Sequence, residues 1–215
     1  SFPGTRSARE RNIDMSESNG RLQWRVVDMV TAAILGVACG VIFLVWNQVG
    51  GAAYSVIDAA TPGFGGLVAG IWLLGGVLGG LVIRKPGAAV FVEVLAAVVS
   101  MALGSQWGIS TVYSGIVQGL GAELVFLIFG YRKFNLPVAM LAGAGAGVAA
   151  WVFEGFFGSS PNFAKTLTFN LIYLSTMIVT GLVLAGLVGW LLVRGLAQTG
   201  ALDRFAAGRE IRGRV

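Results

Sequence analysis

Residues 70–93 read GIWLLGGVLGGLVIRKPGAAVFVE: an apolar run, a break at Arg84 and Lys85, and a second apolar run holding one carboxylate, Glu93. From Gly70 to Ile83 no residue carries a charge or a hydroxyl. Extended upstream to Phe64, the run reaches the roughly 20 residues that a helix needs to cross hydrocarbon. Pro86 suits the first turn of a new helix, where its missing N–H costs nothing. The stretch therefore reads as two membrane helices joined by a tight basic turn.

The pattern repeats along the chain. Apolar segments are expected at 26–49, 64–83, 88–103, 111–129, 136–157 and 167–193. Arg21 and Arg25 precede the first, Arg84 and Lys85 separate the second from the third, and Arg132 and Lys133 separate the fourth from the fifth. Arg194, Arg204, Arg209, Arg212 and Arg214 follow the sixth. The connections 50–63, 104–110 and 158–166 contain one basic residue, Lys165. Because cytoplasmic loops collect Lys and Arg, the pattern predicts an all-α integral membrane protein of six transmembrane helices, N-in and C-in. Connection 50–63 is long enough to fold over the outer face as a lid.

Composition agrees. Of 215 residues, 56% are hydrophobic and 12% charged, and the mean hydropathy is +0.80; a soluble domain carries about 25% charged residues. The net charge of +5 sits mostly in loops and tail, where it sets topology rather than binding nucleic acid. With no histidine and a single cysteine, Cys39, the chain cannot form an internal disulfide, a His/Cys zinc site or a Ser-His-Asp triad. Thirty-three glycines point to close helix packing. The run LAGAGAGVAA (141–150) belongs to that pattern, since no G-x-x-x-x-G-K-[ST] phosphate loop occurs. The chain is thus expected to be neither an ATPase nor another enzyme, and to need no cofactor or metal.

Residues 1–14, SFPGTRSARERNID, lack the apolar core of a secretory signal. They are set aside as an added leader, with Met15 as the expected native start. Residues 15–194 form the six-helix domain, and 195–215 a basic cytoplasmic tail, either helical on the lipid surface or solvated.

In the first segment Ala32, Gly36 and Gly40 form a stripe of small side chains, which suits docking to a partner or packing within the bundle. Polar groups inside the spans are costly and tend to face cavities. At about 1.5 Å per residue, Gln118 lies about 10 Å below the outer end of the fourth helix and Glu123 about 18 Å. Trp151 and Glu154 share a face of the fifth helix, and Asn170 and Tyr173 of the sixth. Trp46 and Asn47 end the first helix, while Gln106 and Trp107 lie in the outer connection between helices three and four. Together they have the composition of a small-molecule pocket; the tryptophans also suit an interfacial belt. Glu93, about 8–10 Å from the inner end, is expected below that pocket, in a structural bond or a coupling role. Asp28 is expected to pair with Arg25.

Three stretches, WRVVDMVTAAILG, GIWLLGGVLGGLVIRKPGAAVFVE and WGISTVYSGIVQGLGAELVFLIFGYRKF, resemble the YkoE group of substrate-binding S components of energy-coupling factor (ECF) transporters. The similarity runs from Met15 to about Arg194. It implies a six-helix, S-component-like bundle in the bacterial cytoplasmic membrane that takes thiamine or its hydroxymethylpyrimidine moiety from outside. It also implies a transmembrane coupling subunit and two cytoplasmic ATPases as partners. The family's A-x-x-x-A docking stripe corresponds to Ala32 and Gly36, and its pyrimidine-holding Gln and carboxylate to Gln118 and Glu123. A proton- or ion-coupled transporter using Glu93 and Glu123 is the alternative.

Overall fold

The structure, a computed structural model, describes residues 22–157 and 161–213; residues 1–14, expected to be a leader, Met15, Arg21 and Arg214 lie outside them. Six helical rods follow in chain order. They are α1 (Val26–Ala60), α2 (Phe64–Ile83), α3 (Ala88–Ala102), α4 (Ser110–Ile128), α5 (Leu136–Phe156) and α6 (Leu167–Gln198). A short α7 (Ala206–Arg212) ends the described chain. All but α3 and α7 are long and apolar enough to cross a bilayer; α3 has 15 residues, about 22 Å.

The basic clusters gather at one end of the bundle, called the basic end below. Asp28 is fully buried there. Its carboxylate accepts from the Arg25 backbone N–H at 2.7 Å and its guanidinium at 2.8 Å, and from Lys85 Nζ at 2.5 Å. The pairing with Arg25 was expected from sequence, whereas the buried Lys85 read only as a loop charge. With Trp24 Nε1 donating to the Pro86 carbonyl at 2.9 Å, this network ties the start of α1 to the α2–α3 turn.

The expected lid at 50–63 is not a loop. α1 continues through Gly50 and Gly51 to Ala60, about 52 Å in all and well beyond a 30 Å hydrocarbon core. Gly50 packs beneath the Trp46 indole, so the glycine pair serves a close contact and not a turn. The helix stops at Thr61-Pro62-Gly63, where Gly63 adopts φ 91° and its N–H donates to Asp58 Oδ1 at 2.8 Å. Only glycine takes that conformation without strain.

α2 forms the axis of the bundle, and every residue from Leu74 to Ile83 is buried. Its first half, Phe64–Leu73, is a 3₁₀-helix and its second half an α-helix. Hydroxyls of α6 serve the first half. Thr176 Oγ1 donates to the Gly63 carbonyl at 3.0 Å and Thr180 Oγ1 to the Leu67 carbonyl at 2.7 Å, while Gly70 N–H donates to Thr180 Oγ1 at 3.1 Å. α6 itself widens into a π-helix over Gly181–Leu187, where Gly181 meets the backbone of Gly143 on α5. The 141–150 run is thus a backbone-to-backbone seam.

Residues 199–213 fold back on the bundle. Leu202, Phe205 and Ala207 are buried, and Glu210 pairs with Arg84. The tail is neither solvated coil nor a helix lying on lipid with its apolar side, because the protein covers that side.

The Ala32/Gly36/Gly40 stripe, expected as a docking surface, faces α3. A Cβ at Gly36 would meet Leu95 at 2.7 Å and one at Gly40 would meet Val99 at 2.6 Å. These residues are spent on internal packing, and α1 turns Val30, Ile34, Val37 and Val41 outward instead. Gly36→Leu is therefore expected to lower the thermal unfolding midpoint in detergent, at a cost of about 1–3 kcal/mol. Ile34→Ala, on the opposite face, should leave the midpoint in place. Equal melting of Gly36→Leu and wild type would show that the stripe is no packing seam.

Candidate functional site

Opposite the basic end, all six rods contribute to one cavity of about 580 Å³, within the range of small-molecule sites. Its deepest residues along each helix are Phe43, Leu73, Glu93, Gln118, Phe153 and Met177, and Gln106 and Trp107 come from the α3–α4 connection.

Glu93 reaches this cavity through a local device in α2. The 3₁₀ first half of α2 passes directly into α-helix after Leu73, with the backbone N–H groups of Leu74 to Gly76 at the junction. Glu93 Oε2 accepts from one of them, Gly76 N–H, at 2.5 Å. The glycine pair at 75–76 makes room, since a Cβ on Gly75 would lie 2.8 Å from that oxygen. The other oxygen, Oε1, is buried with no protein partner. A carboxylate with one oxygen fixed and one unserved is a strong acceptor poised for a donor, because an unmet buried polar atom is costly.

Above it a polar ladder crosses from α2 to α3. Trp72 Nε1 donates to Asn47 Oδ1 at 2.9 Å, and Asn47 Nδ2 donates to Ser100 Oγ at 3.0 Å. Trp72 also meets Trp107 edge-to-face with centroids 5.5 Å apart. On α4, Gln118 Nε2 donates to Ser114 Oγ at 2.8 Å. Glu154 supplies a second carboxylate, which accepts from the Tyr173 hydroxyl, and Tyr54 packs edge-on against Tyr173 at 6.2 Å. The lining thus combines two carboxylates, amides, hydroxyls and flat aromatic walls. Such a surface can hold a small heteroaromatic molecule with N–H donors and can accommodate positive charge. Among the described residues no cluster of His, Cys, Asp and Glu could hold a metal ion.

Of the residues expected here, Asn47, Gln106, Trp107, Gln118, Glu154 and Tyr173 line the cavity. Four do not. Trp46 donates through Nε1 to the Val68 carbonyl at 2.9 Å. Trp151 packs edge-on against Phe163 with centroids 4.8 Å apart. Asn170 donates to the carbonyls of Asn162 and Thr166 at 2.8 and 3.1 Å; it braces the connection that presents Asn162 to the cavity.

The fourth, Glu123, lies at the other end of α3. Its Oε1 accepts from Gly87 N–H at 2.7 Å and the Tyr131 hydroxyl at 2.6 Å. Its Oε2 accepts from Ala89 N–H at 2.9 Å and Val90 N–H at 3.3 Å. α3 starts at Gly87, which has no side chain to cap it, so a carboxylate from α4 takes the positive end of the helix. The same contact, after burial, pushes the Tyr131 hydroxyl above its ordinary pKa range. Glu123 was expected to anchor a ligand; its bonds are all to protein. Glu93, expected below the pocket, lines it, and Trp72 and Tyr54 were missed.

Comparison with known proteins agrees with this architecture. A family model described as "ABC-type cobalt transport system, permease component" matches residues 27–149. The chain is 35% identical over 195 residues to the HMP/thiamine permease protein YkoE of Bacillus subtilis (strain 168), spanning 88% of this chain and 92% of that one. It also superimposes, with a TM-score of 0.82 and 35% identity, on a crystal structure of an S-component of ECF transporter, covering 89% of this chain and 95% of the other. A multi-pass helical bundle enclosing a polar cavity, alike in sequence and fold to these proteins, is a substrate-binding permease subunit and not an enzyme: the chain belongs to the S components of ECF transporters.

Proposed function

We propose that this S component captures thiamine, or the hydroxymethylpyrimidine moiety of thiamine, in the 580 Å³ cavity. The observation that carries this reading is the buried, unpartnered Oε1 of Glu93 at the base of that cavity. An aminopyrimidine presents an exocyclic amine as donor and ring nitrogens as acceptors. Glu93 accepts from the amine, and the Gln118 amide is placed to serve the ring. A thiazolium is a flat cation; Trp72 and Trp107 offer it π-faces, and Glu154 offers counter-charge. The naming of the Bacillus subtilis relative for HMP and thiamine supports this ligand class.

In this reading the bundle spans a bacterial cytoplasmic membrane six times. The basic end lies in the cytoplasm, which the asymmetry of Lys and Arg favours, and the cavity opens outward. Transport is driven by a coupling subunit and two ATPases, which meet the bundle elsewhere than at the Ala32/Gly36/Gly40 stripe, since α3 covers it. The ion-coupled alternative loses support because Glu123, one of its two relay carboxylates, is committed to four donors.

Calorimetric titration of the detergent-solubilised protein with thiamine and with hydroxymethylpyrimidine tests the site. Loss of a charged hydrogen bond costs about 1.5–3 kcal/mol, so Glu93→Gln should weaken binding about 10- to 150-fold. Unchanged affinity in that variant would remove Glu93 from the site. Glu123→Gln should do the opposite, lowering the unfolding midpoint by the loss of a helix cap worth about 0.5–2 kcal/mol while binding persists. A Glu123→Gln protein of wild-type stability that no longer binds would restore Glu123 as the anchor.

A further inference from the structure

The basic end holds a second cavity, of about 360 Å³. Its cations come from segments distant in sequence: Arg84 from the α2–α3 turn, Arg132 and Lys133 from the α4–α5 turn, and Arg194 from the last turns of α6. One carboxylate, Glu210 of α7, faces them, and it sits bidentate on Arg84 at 2.6 and 2.9 Å. Among the described residues no carboxylate forms an ion pair with Arg132, Lys133 or Arg194.

The recess is built rather than incidental. Arg84 ends α2 in a left-handed backbone conformation, φ 59°, with its N–H donating to the Gly80 carbonyl, a common helix stop. Its Nε donates to the Leu81 carbonyl at 3.1 Å, which fixes the guanidinium plane. Arg194 stacks over the Trp190 ring at 4.6 Å. Cations gathered around a cavity repel one another unless an anion joins them, and Glu210 on Arg84 shows that one guanidinium of the recess takes a forked oxyanion. The surroundings also suit one source of such an anion. Leu191 and Leu192 are exposed on the turn of α6 between Trp190 and Arg194, so exposed apolar surface adjoins the residues of the charged recess. Basic pockets between membrane helices on the cytoplasmic side accept anionic headgroups.

We propose that this recess binds the phosphate group of an anionic ester, the exposed leucines beside it on α6 favouring a membrane phospholipid. The site is independent of the ligand cavity, which lies at the other end of the bundle.

Native mass spectrometry of the full chain, delipidated in a neutral detergent, tests it. Phosphatidylglycerol, cardiolipin, phosphatidylcholine and inorganic phosphate are each added to wild type, to the double variant Arg132→Gln/Lys133→Gln and to Arg194→Gln. The anionic lipids should bind wild type in preference to phosphatidylcholine, and the double variant should bind them about 30-fold more weakly, as expected for two basic groups near a headgroup. Unchanged thermal melting of the variants, whose altered residues are exposed, separates this loss from misfolding. Inorganic phosphate that binds alone and is lost in the same variants would support the phosphate site and assign it to a soluble ester. Equal binding of phosphatidylcholine, or undiminished anionic-lipid binding by the variants, overturns the proposal.

Discussion

A carboxylate buried among membrane helices must find donors, and α3 is held in place by two that do. Glu123 of α4 closes its first turn by accepting from Gly87, Ala89 and Val90. One and a half turns later, α3's own Glu93 reaches across to Gly76 of α2. Both carboxylates accept from backbone N–H groups, so each bond joins two helices without a charged partner. The cap fixes where α3 begins, and hence which of its residues face the cavity: Glu93, Ala97 and Ser100 lie at spacings of four and three, on one helical face. The cavity lining and the cap thus sit at different levels of one helix, the cap steadying the helix and Glu93 facing the cavity.

Glycine makes those bonds reachable. Gly75 and Gly76 let the Glu93 carboxylate approach α2, while Gly66 and Gly70 let the hydroxyls of Thr176 and Thr180 do the same from α6. Side chains of neighbouring helices thus bond directly to the α2 backbone. The second cavity follows similar logic with opposite sign: turns that gather cations at one end leave more positive charge than Glu210 neutralises.

The spans were legible in the sequence because hydropathy and turn chemistry are local. Pro86, Pro137 and the basic pairs mark helix starts that the structure places within two residues of expectation. Where local signals compete with packing, the reading failed. Gly50 and Gly51 read as a break, yet Gly50 is the floor beneath Trp46. The Ala32/Gly36/Gly40 stripe was correctly read as a contact face, but sequence does not say whose. For the site, depth was recoverable and direction was not fully used. Gln118 and Glu123 are five residues apart, about 140° around a helix, so only one of them could face the cavity. The same helical phase places Glu93 with Ala97 and Ser100, which could have marked it as a lining residue. Trp72 carried no such signal in its apolar surroundings.

Infrared difference spectroscopy of the protein with and without thiamine measures most directly whether Glu93 meets the ligand. Binding should perturb one carboxyl band that is absent from the Glu93→Gln difference spectrum and present, unshifted, in that of Glu123→Gln. A perturbed band that survives in Glu93→Gln and disappears in Glu123→Gln would contradict the division between a cavity carboxylate and a helix-capping one.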